Sequence, residues 1–383
     1  MALLTNSRAI SLFNRQGRKI TIPGIYTIID TNAFVGLNIS TVAIPDSVTR
    51  IKNGAFWGCE NLSKVVFGQN TKTIGARSFS SSGLQKVKIP DSVTAIGIDA
   101  FKFNTITNVT INRSYGLGKS KLLKAFDNSV VFKVRSDESF SLEGKGHLQR
   151  LQLTGRGHIN GKGNGLRNIL IGNDGRNILN GKGGNDLMVG NRGNDTYYVN
   201  SRFDACVEDP NKGYDKIISK VSYRLPDNIE KLKLDGGGRQ NGTGNSLDNK
   251  IIGNNKRNIL KGLGGADTLT GGSGVDTFVY TDTSDSPNQY DGDLITDFNA
   301  FIGEKIDLSA VTSWADGEYN VPFEFIGNRQ FSKTQGEVRV IRIPYSGGLQ
   351  IILVNNDNDR EHEMAIGFYE VNNQDIGAQN FIL

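Results

Sequence analysis

The chain has 383 residues, of which 37% are hydrophobic and 47 are glycine; that leaves room for two or three domains but too little apolar material for one large enzyme-like core, so small cores extended by repetition fit better. The formal net charge of +5 hides an asymmetry, because residues 1–150 carry 20 Lys+Arg against 9 Asp+Glu while the remainder carries 24 against 30. An acidic back half suits metal loops, and a basic front suits an anionic polysaccharide, lipopolysaccharide or nucleic acid on charge alone, or is simply a solvated basic surface.

The chain starts MALLTNSRAISLFNRQGRK, which holds no apolar run of signal-peptide length, and no later segment is long and apolar enough for a transmembrane helix, so an export address would have to lie elsewhere. Residues 1–24 are read as an N-terminal cap. Cys59 and Cys206 fall in different predicted domains with no zinc spacing around them, so neither a disulfide nor a zinc site is expected.

From residue 25 a repeat sets in. Ala33-Phe34, Ala55-Phe56, Ser78-Phe79 and Ala100-Phe101 recur at intervals of 22, 23 and 22, within the phrases TIIDTNAF, RIKNGAF, TIGARSF and AIGIDAF. Each unit adds a second short strand, as in STVAIPDSV and QKVKIPDSV, closed by a Pro-Asp-Ser turn. One unit cannot bury its own Phe and Ile, so the units must stack as a solenoid with those residues in its core. The IPDSVTxIxxxAF phrase resembles the BspA-like leucine-rich repeats of bacterial surface proteins over about residues 25–114. That resemblance implies adhesion through protein or glycan contact, and any binding would use variable surface residues: Arg50, Lys52, Lys64, Arg77, Lys86, Lys88 and Lys102. The stretch GLGKSKLLKAFDNSVVFKV reads as a short basic helix ending near Phe126 and then a strand, so 115–134 is expected to cover the last apolar layer, within a linking region 115–147.

A second repeat system has a nine-residue period. GKGGNDLMVGNRGNDTYYV at 181–199 returns as GLGGADTLTGGSGVDTFVY at 262–280, and residues 151–199 align without a gap on 232–280 at an offset of 81. The sixth loop position is Asn168, Asn177, Asp186, Asp195 and Asp204 in one copy, and Asn249, Asn258, Asp267, Asp276 and Asp285 in the other. Leu170, Leu179 and Met188, and Ile251, Leu260 and Leu269, recur on the same period, which a flexible Gly-rich linker would not require. Carboxylates preceded by glycine at this interval suit a calcium-binding parallel β-roll, since calcium accepts six to eight oxygen ligands from carboxylates and backbone carbonyls. The pattern resembles the RTX (repeat-in-toxin) secreted proteins, with modules over 148–228 and 229–290. The resemblance implies an ion between loop n and loop n+2 on one edge, so that Asp186 shares an ion with Asp204 and Asp267 with Asp285, while Asp195 and Asp276 face Asn177 and Asn258. Gly184, Gly193, Gly265 and Gly274, at the fourth loop position, complete the metal set, and GNGLRNILI and GNSLDNKII, with Leu166 and Leu247 there, are read as coils with little or no metal. The intervening DACVEDPNKGYDKIISKVSYRLPDNIEKLKL contains strand-like runs and continues the stack.

The last segment, 291–383, resembles the C-terminal domain of serralysin-type metalloproteases and other type I secretion substrates. Asp293, Asp297 and Asp307 match the acidic positions of its D-x-I-x-D-F…K-I-D-L phrase; Asp293 and Asp297 join the metal set as ligands of a further calcium, with strand capping as the alternative. The terminal NFIL has Asn380 where the family signal has an acid.

The histidines are His147, His158 and His362, and only the last begins a His-Glu pair, in HEMAI, with Ile366 where a zinc protease needs histidine. No G-x-S-x-G elbow or Walker loop occurs, so no enzyme is expected. The overall expectation is a mainly β protein: a leucine-rich-repeat solenoid, two β-roll modules and a β-rich C-terminal cap. It binds Ca2+, is exported by type I secretion to the cell exterior or surface, and presents the basic repeats to a protein or anionic glycan, with nucleic acid not the expected partner. The alternative is a carbohydrate-active protein working on an anionic polysaccharide such as alginate, which the RTX resemblance brings with it.

Overall fold

The computed structural model describes residues 2–106, 108–112, 125–126, 131–144, 148–287, 292–311, 314–315, 318–319, 323–332, 336–343, 348–357, 360–371 and 376–383. The chain is mainly β and forms a parallel β-solenoid. It divides into two compact units, Met1–Gly155 with Gly161–Ile171, and Arg156–Asn160 with Gly172–Leu383.

In the first unit, the two-residue strands Leu3–Leu4, Ile28–Ile29, Arg50–Ile51, Thr73–Ile74 and Ala95–Ile96 form one parallel ladder, with Ile29, Ile51, Ile74 and Ile96 in register. Lys19–Thr21, Thr41–Ala43 and Lys64–Val66 form a second. Between the ladders the Ala-Phe dyads turn the chain. Phe34, Phe56, Phe79, Phe101 and Phe126 stack with centroids 4.8, 4.9, 5.3 and 4.7 Å apart. That separation is close to the inter-strand distance, so each ring lies on its neighbour without deforming the coil. A backbone ladder runs beside it: Phe34, Phe56, Phe79 and Phe101 each donate N–H to the carbonyl just before the next Phe, at 2.7–2.8 Å.

Phe126 bears on the stretch expected to be a cap. Residues 113–124, where most of the helix expected to end near Phe126 falls, lie outside the described residues, but Ala125 and Phe126 are buried and add another rung, and Asn108–Asn112 pairs in parallel with Val131–Ser136. The coil thus continues through a longer unit, 25 residues after Phe101 by numbering, which hid it from a 22-residue clock. At the N-terminus the helix Asn6–Gln16 buries Ala9 and Leu12, and Asn6 donates to the carbonyl of Ala33 at 3.0 Å, closing off the first Phe turn. The helix ends at Gly17, whose φ of +71° suits glycine.

In the second unit one parallel sheet runs through Ile178–Asn180, Thr196–Val199, Lys216–Ser219, Lys231–Leu234, Lys250–Ile252, Thr268–Thr270 and Leu294–Phe298. Lys231–Leu234 pairs with Lys216–Ser219 on one side and Lys250–Ile252 on the other, so the two expected roll modules share a continuous sheet. The opposing strands include Leu187–Val189 paired with Ala205–Val207, and the series Tyr223–Arg224, Asn241–Thr243, Ile259–Lys261, Thr277–Val279 and Lys305–Asp307. The middle residue of each three-residue strand points inward: Leu179, Met188, Ile251, Leu260 and Leu269 are fully buried. Alternation over so short a strand buries one side chain per pass, which explains why a chain poor in apolar residues still has a continuous core. After Leu294–Phe298 the parallel order ends. Met364–Glu370 pairs with it in parallel and then antiparallel with Leu349–Asn355, which pairs with Glu337–Arg342, while Phe381–Ile382 pairs with Lys305–Asp307. Among the described residues no helix is long and apolar enough to cross a membrane.

Candidate metal centre

The loops joining the roll strands fall into two chemical classes. In GNGLRN (163–168), GNDGRN (172–177), GNSLDN (244–249) and GNNKRN (253–258), two asparagines close the loop on itself. In the last of these Asn254 N–H donates to Asn258 Oδ1 at 2.8 Å, Asn258 Nδ2 returns a bond to Asn254 Oδ1 at 3.1 Å, and Lys256 N–H reaches the same Oδ1 at 2.9 Å. The amide of Asn254 also donates to Gly238 O at 3.0 Å, while that of Asn258 donates to Gln240 O at 2.7 Å. The reciprocal side-chain bonds recur at Asn164/Asn168, Asn173/Asn177 and Asn245/Asn249. An amide carries both donors and acceptors, so such a loop satisfies itself without an ion.

GKGGND (181–186), GNRGND (190–195), GLGGAD (262–267) and GGSGVD (271–276) are built differently. Their second and fourth positions take a left-handed backbone: Lys182 and Gly184, Asn191 and Gly193, Leu263 and Gly265, Gly272 and Gly274 all have φ between +67° and +128°. At the fourth position glycine is required twice over, since a Cβ on Gly193, Gly265 or Gly274 would also meet the backbone of the loop below at 2.6–2.7 Å. The first glycine of each loop leaves room for the aspartate to curl back; a Cβ on Gly181, Gly190, Gly262 or Gly271 would collide with the carboxylate of Asp186, Asp195, Asp267 or Asp276.

The aspartates are held alike. One oxygen accepts the backbone N–H eighteen residues earlier: Asn177 N–H to Asp195 at 2.6 Å, Asn249 N–H to Asp267 at 2.7 Å, Asn258 N–H to Asp276 at 2.7 Å. The other oxygen, Oδ2, is buried in Asp195, Asp267 and Asp276 with no hydrogen-bond partner. Asp186, 2% exposed, donates its own N–H to Asp204 Oδ1 at 2.9 Å, which brings the first expected pair together.

One expected pairing is corrected. Asp267 gives its N–H to Asp293 at 2.9 Å, not to Asp285, because the nine-residue clock breaks after Tyr280. Asp285 instead closes a 3-10 turn, its Oδ2 accepting from the N–H groups of Thr281 and Asp282 and the Thr281 hydroxyl. Asp204 does the equivalent in its copy, accepting from Asn200 and Ser201 N–H at 3.0 and 3.1 Å, so both third aspartates brace their own loops. Asp297 accepts the N–H groups of Gly271 and Gly272, both at 2.8 Å, and Asp307 accepts from Ser309, the geometry of the capping alternative, while Asp293 takes the register position on Asp267.

The sequence reading also missed partners. Asp195 donates its N–H to Asp215 at 2.6 Å, twenty residues on rather than eighteen; the two extra residues in EDPNKGYD conceal the match, although YDKII repeats the shape of the Asp-strand phrase. Glu208, 6% exposed, accepts a hydrogen bond from the Tyr197 hydroxyl. Glu304 is buried beside Asp276 and Asp297.

These acids are poorly solvated, and their charges oppose one another. Burial, countered by the Asn177 N–H and reinforced by Asp215, pushes Asp195 up to about 7. Burial and the nearby acids push Asp267 to about 7, Asp293 to about 9, Glu208 to about 8, and Asp276 and Asp215 to about 6. Among the described residues no ion pair joins Lys or Arg to any of these six carboxylates. The buried Oδ2 atoms and the glycine-walled space around them fit a hard cation, and the side-chain ligands available are carboxylates, with no histidine among them.

Comparison with known protein families finds two kinds of repeat, and the second spans both loop classes. Residues 12–129 match the BspA type leucine-rich repeat region in six copies, and residues 162–197 and 243–278 match the RTX calcium-binding nonapeptide repeat in four. No curated protein matches the chain. Among solved structures, a leucine-rich repeat protein from Bacteroides ovatus ATCC 8483 is similar at 14% identity over 78% of this chain and 80% of its own, with a TM-score of 0.24. Two kinds of repeat are therefore matched along the chain, the BspA type leucine-rich repeat in its front part and the RTX calcium-binding nonapeptide behind it.

Proposed function

We propose that this is an exported calcium-responsive binding protein without catalytic activity, whose second unit folds around calcium and whose first unit carries the recognition surface. The observation that carries the calcium part is the set of buried, unpartnered Oδ2 atoms on Asp195, Asp267 and Asp276, each in a loop that only glycine allows. At low calcium these carboxylates oppose folding, and at millimolar extracellular calcium weak sites of this kind fill, so that binding free energy becomes folding free energy. Asp186, Asp195, Asp267, Asp276 and Asp293 would hold the ions, while the Asn-closed loops extend the stack.

The recognition surface is assigned to the leucine-rich repeats by charge. Of the basic residues singled out from sequence, Lys52 pairs with Asp30 at 3.0 Å, and Arg77 and Lys102 lie 3.9 and 3.3 Å from Asp99. Arg50, Lys64, Lys86 and Lys88 are exposed on strands, with no ion pair among the described residues. These exposed cations lie on strands of three sheets and suit an anionic glycan or an acidic protein face. Circular dichroism of the full chain in chelator and in calcium is the test of the first part, with a calcium-driven gain of strand signal expected; an identical spectrum in both would refute it. A glycan array at low and high salt tests the second, and salt-insensitive or absent binding would remove the anionic-glycan assignment.

A further inference from the structure

Asp195, Glu208 and Asp215 are the group of acids among the described residues whose ligand atoms all lie within 4.8 Å of one another, and all three are buried. They come from three successive features of the second unit: the end of loop 190–195, the residue following strand Ala205–Val207, and the residue preceding strand Lys216–Ser219. Two of them lie past residue 197, where the first nonapeptide match ends.

The juxtaposition is built. Glu208 follows its strand at the place where Gly190 follows Leu187–Val189, and the two strands pair in register, Val189 with Val207. The missing side chain at Gly190 leaves the space into which Asp195 Oδ2, Glu208 Oε1 and the Tyr197 hydroxyl converge; a Cβ there would collide with all three. Tyr197, fully buried, holds one oxygen of Glu208, and the Asp195 N–H holds one oxygen of Asp215 at 2.6 Å. What is left over points to a ligand: Asp195 is 1% exposed and Glu208 6% exposed, and each keeps one buried oxygen, Oδ2 and Oε2, without a hydrogen-bond partner. No lysine or arginine among the described residues forms an ion pair with any of the three. A purely structural tyrosine–glutamate bond would leave no reason for two further acids to be buried against it.

We propose that Asp195, Glu208 and Asp215 form a three-carboxylate site for a hard divalent cation, with Tyr197 orienting Glu208. This deepens the calcium reading and rests on it. Among the described residues no other group of acids brings three ligand atoms within 4.8 Å of one another, and ligand charge count sets calcium affinity, so this site fills first as calcium rises. Tyr197 is then a positioning residue and also a built-in antenna, because an excited phenol sensitises a lanthanide bound beside it.

The experiment uses the full chain stripped with chelator. Calcium stoichiometry is measured by equilibrium dialysis with metal analysis, and terbium is titrated with excitation of tyrosine. Glu208→Gln is expected to bind one ion fewer than wild type and to lose the earliest-filling terbium signal, while Tyr197→Phe keeps the ion and loses only that emission. Should Glu208→Gln fail to fold, Glu208→Asp keeps the charge but shortens the reach, and the first-filling ion is expected to weaken by about tenfold or more. Uptake by wild type with unchanged stoichiometry and affinity in the Glu208 variants overturns this site and leaves the calcium reading standing. No uptake by wild type defeats both.

Discussion

Replacing Asp267 by asparagine separates the ion-binding role of a roll aspartate from its structural one. Asp267 is 1% exposed, and one of its oxygens accepts the Asn249 N–H at 2.7 Å. An asparagine keeps that acceptor. It turns the unpartnered Oδ2 into a buried NH2, and where Asn258 hands its amide to Asn254, position 263 offers only leucine. An unpaired buried donor costs about 1–3 kcal/mol. Removing an anion beside Asp293 works the other way, so in chelator the variant is expected within about 1 kcal/mol of wild type, a difference of two similar terms. In calcium the balance changes. At a hundred times Kd, a filled site contributes about 2.7 kcal/mol, which for a unit of this size is about 5–10 °C in Tm. Thermal unfolding followed by strand dichroism, in chelator and in saturating calcium, should therefore show the variant losing about that much of the calcium-induced rise. An undiminished rise would refute the assignment of Asp267 as a ligand.

Asn254→Ala, which loses bonds to Gly238 and Gln240 but touches no assigned ligand, should lower stability by about 1–3 kcal/mol equally with and without calcium; a calcium-dependent loss seen by denaturant titration would undo the distinction between loop classes. Burial pushes the Cys59 thiol up to about 12, and Cys206, in the second unit, is raised as well. Timed alkylation at pH 8 followed by mass spectrometry should find Cys59 equally protected in both conditions and Cys206 modified faster in chelator than in calcium; an unchanged rate for Cys206 would contradict calcium-dependent folding of the second unit. Asp195 and Asp267 rise from an ordinary 3.8 to about 7, and Asp293 to about 9, through burial. A carboxyl whose folded pKa is raised stabilises the fold at low pH and loses that contribution as pH rises from about 4 towards 7–9. Calcium-free protein should melt lower at pH 8 than at pH 5, and saturating calcium should remove the difference; a calcium-free Tm that rises over that range would reverse the sign.

Periodicity was legible without coordinates wherever one residue type had to meet its own copy. Phe34, Phe56, Phe79 and Phe101 recur because a ring must lie on a ring about 5 Å away, and Leu179, Met188, Leu260 and Leu269 because a three-residue strand buries one side chain. The same logic identified the glycine-aspartate loops, since positive φ favours glycine at 184, 193, 265 and 274 and close approach of the loop below adds to it at the last three.

Tertiary structure decided what happens where the clock slips. Phe126 joins its ladder after a longer unit, Asp215 reaches Asp195 over twenty residues, and Asp293 takes the place expected of Asp285. In each case space, not sequence interval, determines which groups meet, because a stack aligns strands by backbone hydrogen bonds and lets loops absorb insertions. The sequence alone established two stacked repeat systems and the residue types able to hold calcium; only the folded stack determined which carboxylates are left with a buried oxygen to offer, and which already hold the backbone of their own loop.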